Sequence, residues 1–151
     1  MAQSSHYQPG EAEMNAVQRK LTAQIPHCLN KKIIILYPSS GTLKWPNTSY
    51  RELTERLLHT YPNIIIVYTG TPDEVVKNKA IYEGLDTARI ADLTGKTTLK
   101  ELLALCALGH IFITSDTQSA RQASRLNART VVLSDTEPLN EVWATLIKHM
   151  V

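Results

Sequence analysis

The chain has 151 residues, of which 43% are hydrophobic, and its 16 Lys and Arg against 14 Asp and Glu leave a net charge of +2. This length suits one domain whose core needs no disulfide or metal. The balanced charge argues against a nucleic-acid-binding surface, and no apolar run is long enough to cross a membrane. Cys28 and Cys106 lack the spacing of a metal or redox motif, so we expect free buried thiols and a cytoplasmic protein.

The chain divides into three predicted parts, which are a disordered polar lead-in (1–9), a helix with a linker (10–30) and the main domain (31–151). The lead-in has no apolar segment of the kind found in signal peptides. Met14, Val17 and Leu21 repeat at helical spacing, which predicts a helix over Glu11–Gln24.

Five short apolar segments of the main domain predict strands: Ile33–Leu36, Ile64–Val67, Ala88–Ala91, Ile111–Ile113 and Val131–Leu133. Four of them are rich in β-branched residues, and none alternates with polar residues. Such runs are typical of strands buried on both faces, as in parallel sheets.

Helical patterns lie between these segments. They predict a helix after Ser49, one ending at Gly84, one stopped by Gly109, one over about Ser119–Leu126 with Asn127 as its cap, and one over about Leu139–His149. Three starts carry capping boxes: Ser49 with Glu52, Thr71 with Glu74, and Thr98 with Glu101. The strict alternation of strand and helix predicts an α/β fold, a Rossmann-like doubly wound parallel sheet of about five strands.

Ligands of open parallel sheets bind beyond the carboxyl ends of the strands. The segments that follow the five predicted strands are rich in Gly, Ser and Thr: 38–46, 69–72, 94–97, 115–119 and 134–136. Each leads to the N-terminus of a helix, where free N–H groups and the helix dipole favour an anion. For any single loop, helix capping explains these residues equally well. Together they favour a phosphate-bearing ligand.

Several common motifs are absent. Gly95-Lys96-Thr97 is not a P-loop, because Ile90 stands where that motif needs glycine. No strand is followed by Gly-x-Gly-x-x-Gly, and there is no Gly-x-Ser-x-Gly elbow. The histidines show no metal-ligand spacing, so neither a metal nor a cofactor is predicted.

Four segments carry a resemblance to a known family: 36–46 (LYPSSGTLKWP), 68–74 (YTGTPDE), 93–102 (LTGKTTLKEL) and 113–117 (ITSDT). In this order and spacing, the stretch from Lys32 to Glu137 resembles glycosyltransferase family 9, the heptosyltransferases of lipopolysaccharide assembly. It is similar to the C-terminal, donor-binding domain of their type B glycosyltransferase fold.

The resemblance implies a nucleotide-diphosphate-sugar donor such as ADP-heptose, and a donor-binding set of Ser39, Ser40, Lys44, Glu74, Asp116, Thr117, Gln118, Ser119 and Arg121. Lys44 would neutralise the departing diphosphate during inverting sugar transfer. Glu74 would hold the ribose, although its capping role explains it as well. The Asp116-Thr117 turn and the following helix would hold the pyrophosphate, and Trp45 is expected to pack rather than stack on a base.

Two departures from the family pattern matter. The family has glycine after Asp-Thr and histidine three positions later, whereas this chain has Gln118 and Arg121. Arginine can bind phosphate but cannot replace the proton chemistry of histidine. The acceptor domain, which supplies the family's catalytic base, is expected to be missing, so the isolated chain should be inactive. Its partner would be an acceptor-domain chain or a second copy.

Two other interpretations stay open. The chain could be a non-catalytic module of the same descent that binds a nucleotide or a protein. It could also be a generic flavodoxin-like or receiver-like domain, but a receiver needs acidic residues at the ends of its first strands. Here the first strand ends in Tyr37-Pro38-Ser39.

Overall fold

The computed structural model describes residues 9–38, 45–85, 87–125, 129–134 and 136–150. Five strands form one parallel sheet: β1 (Lys32–Tyr37), β2 (Ile64–Tyr68), β3 (Ile90–Asp92), β4 (Ile111–Thr114) and β5 (Thr130–Val132). Their order in the sheet is β3-β2-β1-β4-β5, and every neighbouring pair is parallel. The predicted doubly wound α/β fold is therefore confirmed.

Six α-helices cover the two faces of this sheet: α1 (Glu11–Gln24), α2 (Asn47–Thr60), α3 (Val75–Tyr82), α4 (Leu99–Leu108), α5 (Thr117–Ser124) and α6 (Leu139–His149). Alternate residues of each strand point to opposite faces. Ile34 and Leu36 pack with α2, α3 and α6, while Ile33 and Ile35 pack with α1, α4 and α5. Burial on both faces explains why the strands read as continuous apolar runs.

Helix α1 is part of the second apolar layer rather than a separate appendage. Val17 and Leu21 are fully buried in that layer. The side-chain amide of Gln24 forms two hydrogen bonds with the backbone of Asp92. Its Nε2 donates to the carbonyl oxygen at 2.9 Å, and its Oε1 accepts from the amide nitrogen at 2.8 Å. Gln24 thus occupies hydrogen-bonding groups of edge strand β3 that a further strand would otherwise use.

The predicted capping boxes have different outcomes. Thr98 and Glu101 cap α4 as expected. Thr71 and Glu74 also form their box, but it caps a short 3-10 turn, Pro72–Glu74, that leads into α3. The box at Ser49 is wrong, because α2 already begins at Asn47. The N–H groups of Ser49 and Tyr50 bond to the Pro46 carbonyl at 3.0 and 3.1 Å, so Ser49 lies inside the first turn.

Several element boundaries also differ from the sequence-based expectation, and two of the differences have a local cause. Helix α5 begins at Thr117, two residues before the predicted start, because Asp116 rather than a later residue caps it. The third strand is Ile90–Asp92, since Thr87–Arg89 form a 3-10 turn before it. Residues 1–8 of the predicted lead-in (1–9) and the predicted cap Asn127 lie outside the described residues. Within the described ranges, no helix is long and apolar enough to cross a membrane.

His110 lies at the amino edge of the sheet beside the C-terminal end of α6. Its Nε2 is 2.6 Å from the His149 carbonyl oxygen, and the Arg129 guanidinium donates to the same oxygen at 3.0 Å. Burial lowers the pKa of His110 below its ordinary 6.5, and the positive charges of Lys32 and Arg129 lower it further, against the opposing bond to His149.

The unfolded chain therefore takes up a proton at position 110 at a higher pH than the folded chain does. We expect the free energy of unfolding to fall as the pH drops below about 6.5. Urea unfolding at pH 7.5 and at pH 5.5 should show this loss, and it should shrink in His110→Gln. The exposed His59→Gln serves as the control, and an unchanged pH dependence in His110→Gln would contradict the assignment.

Candidate functional site

The sheet order places a topological switch point at the carboxyl ends of β1 and β4, and we call this edge of the sheet the crevice. The chain leaves β1 toward α2 on one face and leaves β4 toward α5 on the other, so the two connections diverge. In open α/β sheets, ligands bind at this kind of switch point.

The β4–α5 turn is built from hydrogen bonds of short polar side chains. Thr114 Oγ1 donates to the Tyr37 carbonyl at 2.9 Å and accepts from the Asp116 amide at 2.9 Å, which ties the turn to β1. Asp116 caps α5, because its Oδ2 accepts from the Ser119 amide at 2.9 Å and from the Ser119 hydroxyl at 2.5 Å.

This arrangement leaves two backbone donors at the positive end of α5. The amide of Ser119 is taken by Asp116, but the amides of Thr117 and Gln118 have no hydrogen-bond partner within the described part of the chain. Two adjacent N–H groups at a helix N-terminus can hold one anionic oxygen or two. The turn is thus able to bind a phosphate group.

Glu74 reaches the same edge of the sheet from the β2–α3 connection. It is only 3% exposed, and its Oε1 accepts from the amide and the hydroxyl of Thr71 at 2.9 and 3.0 Å. A Cβ at Gly70 would lie 2.7 Å from that oxygen, so glycine leaves the room that the carboxylate fills. Behind it, the amide nitrogen of the buried Asn78 donates to the Thr69 carbonyl at 3.2 Å.

Tyr37 ends β1, which lies between β2 and β4 in the sheet. Its ring packs edge-on against Phe112 at 6.2 Å between centroids. Burial raises the pKa of its hydroxyl, the negative charges of Glu74, Asp116 and Asp73 raise it further, and hydrogen bonding with Ser119 opposes them. The charges of Glu74 and Asp116 thus both act on this hydroxyl. Both predicted residues lie at the carboxyl edge of the sheet, Glu74 after β2 and Asp116 after β4.

The other predicted residues divide into two groups. Gln118 and Arg121 are exposed on the first turns of α5, and Arg121 makes neither a hydrogen bond nor an ion pair with any described residue. Ser39, Ser40 and Lys44 lie outside the described residues, and so does the side chain of Thr117. Trp45, directly after this gap, is fully buried and edge-on to Tyr50 at 5.0 Å, so it packs as expected.

Sequence reasoning missed the contributions of Tyr37 and Ser115. Tyr37 belongs to the segment 36–46 that carries the family resemblance, but the sequence assigns it no role in the site. Ser115 gave no signal of its own in the sequence. Its hydroxyl is 3.1 Å from the Trp45 amide and 2.6 Å from the Tyr50 hydroxyl, which are contacts that only the fold creates.

Two grooves lie elsewhere on the described surface. The larger, about 650 Å³, is bordered by α2, Leu85 and Arg89. Arg89 is already engaged there, because it donates to the carbonyls of Leu58, Tyr61 and Ile64. The smaller, about 320 Å³, lies at the amino edge of the sheet near Lys32 and Met150. Neither contains a residue of the predicted donor-binding set, so we place the candidate site in the crevice on chemical grounds.

The sheet order and the helix-terminal crevice define a Rossmann-like α/β domain. A model of glycosyltransferase family 9 (heptosyltransferase) matches residues 2–138. The chain therefore belongs to this family. The predicted resemblance is confirmed, and the match extends upstream of Lys32 through α1. A search of curated proteins found no match.

Several solved structures are similar. E. coli ADP-heptose lipopolysaccharide heptosyltransferase II is 22% identical with a TM-score of 0.71, over 89% of this chain and 42% of its own. A family 9 glycosyltransferase from Veillonella parvula is 16% identical with a TM-score of 0.69, over 95% and 46%. E. coli heptosyltransferase WaaC with ADP-2-deoxy-2-fluoro heptose is 19% identical with a TM-score of 0.66, over 87% and 47%. The chain thus spans less than half the length of these structures.

Proposed function

We propose that this chain is the donor-binding part of a family 9 glycosyltransferase and binds a nucleotide-diphosphate sugar of the ADP-heptose kind. The observation that carries the proposal is the pair of amides at the start of α5, those of Thr117 and Gln118, which lie beside the capping Asp116 and have no hydrogen-bond partner among the described residues. The family membership and the ADP-sugar analogue bound to the similar WaaC support it.

The two ends of the crevice suit different parts of such a donor. Backbone amides and the Arg121 guanidinium are hydrogen-bond donors, which suit the oxygens of a diphosphate. The carboxylate of Glu74 is an acceptor, which suits the hydroxyls of a ribose. The site therefore matches a ligand that carries a diphosphate next to a sugar.

The proposed reaction is inverting transfer, in which an acceptor hydroxyl attacks the anomeric carbon and the nucleoside diphosphate leaves. The bond between that carbon and the diphosphate oxygen breaks as the new glycosidic bond forms. Lys44, Arg121 and the α5 amides would stabilise the negative charge that builds up on the leaving group. The base that takes the hydroxyl proton would come from an acceptor domain.

Calorimetric titration with ADP, GDP, UDP and their sugars tests the proposal. We expect binding of the ADP compounds, with affinity reduced about tenfold or more in Lys44→Ala, because a charged hydrogen bond to phosphate is lost. Lys148→Ala, an exposed lysine of α6, is the control and should bind as the unmodified chain does.

The second candidate function is a non-catalytic module. It is favoured by Gln118, whose side chain stands where the family has glycine and restricts close approach of a phosphate to the backbone. Absence of binding to every nucleotide and nucleotide sugar would support this alternative and contradict the donor-binding proposal.

A further inference from the structure

The Ser115 hydroxyl joins two parts of the chain that border the crevice. It accepts from the Trp45 amide at 3.1 Å, and its oxygen is 2.6 Å from the Tyr50 hydroxyl. A serine hydroxyl offers one proton and two lone pairs, so it can satisfy both partners at once. Trp45 and Tyr50 are fully buried, which makes the loss of either bond costly.

Three connections at the carboxyl edge meet at this point. Trp45 ends the β1–α2 connection, and its indole Nε1 donates to the Glu137 carbonyl, in the β5–α6 connection, at 2.8 Å. Ser115 belongs to the β4–α5 turn. We call the group Ser115, Trp45 and Tyr50 the serine clamp.

The residue after Ser115 is Asp116, the cap of α5. On the other side of the turn, Thr114 bonds to the Tyr37 carbonyl and to the Asp116 amide, both at 2.9 Å. The turn is thus held to β1 through Thr114 and to α2 through Ser115. Neither Thr114 nor Ser115 belongs to the predicted donor-binding set.

We propose that Ser115 and Tyr50 are positioning residues, which hold the Asp116 turn so that the free amides of Thr117 and Gln118 face the ligand in the crevice. The expected effect on ADP binding rests on the proposed function. The hydrogen bonds that hold the turn do not depend on any ligand.

The chain contains a matched control for this proposal. Tyr68 and Thr54 form a second buried pair of hydroxyls at 2.6 Å, in the same apolar layer as Tyr50. Burial raises the pKa of both tyrosines, so each is a neutral hydroxyl at pH 7. Tyr50→Phe and Tyr68→Phe remove the same kind of bond, but only Tyr50 contacts the residue before Asp116.

The experiment compares these two variants by ADP calorimetry and by hydrogen exchange of the hydrogen-bonded amides of Asp116 and Ser119. We expect Tyr50→Phe to weaken ADP binding about fivefold, the equivalent of one hydrogen bond, and to speed exchange in the turn. Tyr68→Phe should change the affinity less than about twofold and leave that exchange as it is. Ser115→Ala should behave like Tyr50→Phe, and Ser115→Thr, which keeps the hydroxyl, should restore both values.

Equal effects of the two tyrosine variants, or no effect of Tyr50→Phe, would overturn the inference. If the unmodified chain binds no ADP, the proposed function fails, and the exchange measurement alone then decides. Faster exchange of the Asp116 and Ser119 amides in Tyr50→Phe but not in Tyr68→Phe still supports the clamp. Equal exchange in both variants rejects it.

Discussion

Replacing Gly95 with alanine is expected to lower the free energy of unfolding by about 2–4 kcal/mol. Gly95 follows β3 with a positive φ of 71°, which an L residue with a Cβ adopts only at a cost of about 1–2 kcal/mol. A Cβ there would also lie 2.9 Å from the Pro72 Cα, a backbone atom that cannot rotate away. The added strain should move the β2–α3 connection that carries Glu74. Urea unfolding measures the stability.

Gly84→Ala separates the two causes. Gly84 also has a positive φ, 87°, but among the described residues a Cβ there would meet nothing nearer than the Arg51 guanidinium at 3.7 Å. Gly84→Ala should therefore lower the free energy of unfolding only by the cost of the positive φ, about 1–2 kcal/mol. Equal losses in both variants would show that the contact with Pro72 contributes nothing.

Removing the guanidinium of Arg121 should weaken ADP binding about tenfold or more while leaving stability nearly unchanged. Helical side chains point back toward the N-terminus, so Arg121 can reach a diphosphate held by the first turn of α5. Its loss removes one or two charge-assisted hydrogen bonds. Because Arg121 is exposed and unpaired within the described residues, Arg121→Ala should leave the unfolding transition in place. Calorimetry and urea unfolding of this variant test both statements.

Arg19→Ala is the matched control, since Arg19 is an exposed arginine of α1 that lies on another helix. Gln118→Gly restores the glycine of the family pattern and should strengthen ADP binding, because a phosphate can then approach the backbone more closely. If Arg121→Ala binds ADP as tightly as Arg19→Ala does, the guanidinium has no part in the site.

Arg121, which stands where the family pattern has histidine, also limits the reaction chemistry that is open to this position. An arginine at position 121 remains charged at any physiological pH, so it can hold a phosphate but cannot exchange a proton with the substrate. Measured sugar transfer by a complex of this chain with an acceptor domain would therefore have to rely on charge stabilisation at this position.

Most of the fold could be predicted because its signals are local. Continuous β-branched runs such as Ile64–Val67 define strands buried on both faces, and the Thr98 capping box defines the start of α4. The start of α2 was missed because Ser49 and Glu52 match a capping pattern equally well inside a helix. In the structure the helix starts two residues earlier, and the Pro46 carbonyl accepts hydrogen bonds from the amides of Ser49 and Tyr50.

The candidate site was predictable only in part. Asp116 and Glu74 each stand at a strand end with a polar motif around them, so both could be singled out. The roles of Tyr37 and Ser115 could not be predicted, because their partners are distant along the chain. Tyr37 interacts with Ser119, and Ser115 bonds to Trp45.

By itself, the sequence determined the alternation of strands and helices and the family, and it predicts the edge of the sheet where a ligand would bind. Apolar periodicity, capping and local motifs act over a few residues, and they can be recognised without knowing the fold. The tertiary structure alone decided the strand order, with β1 between β2 and β4, and the docking of α1 on the sheet. It also decided the bonds that join Ser115 to Trp45 and Tyr50, because such contacts exist only after distant segments have packed together.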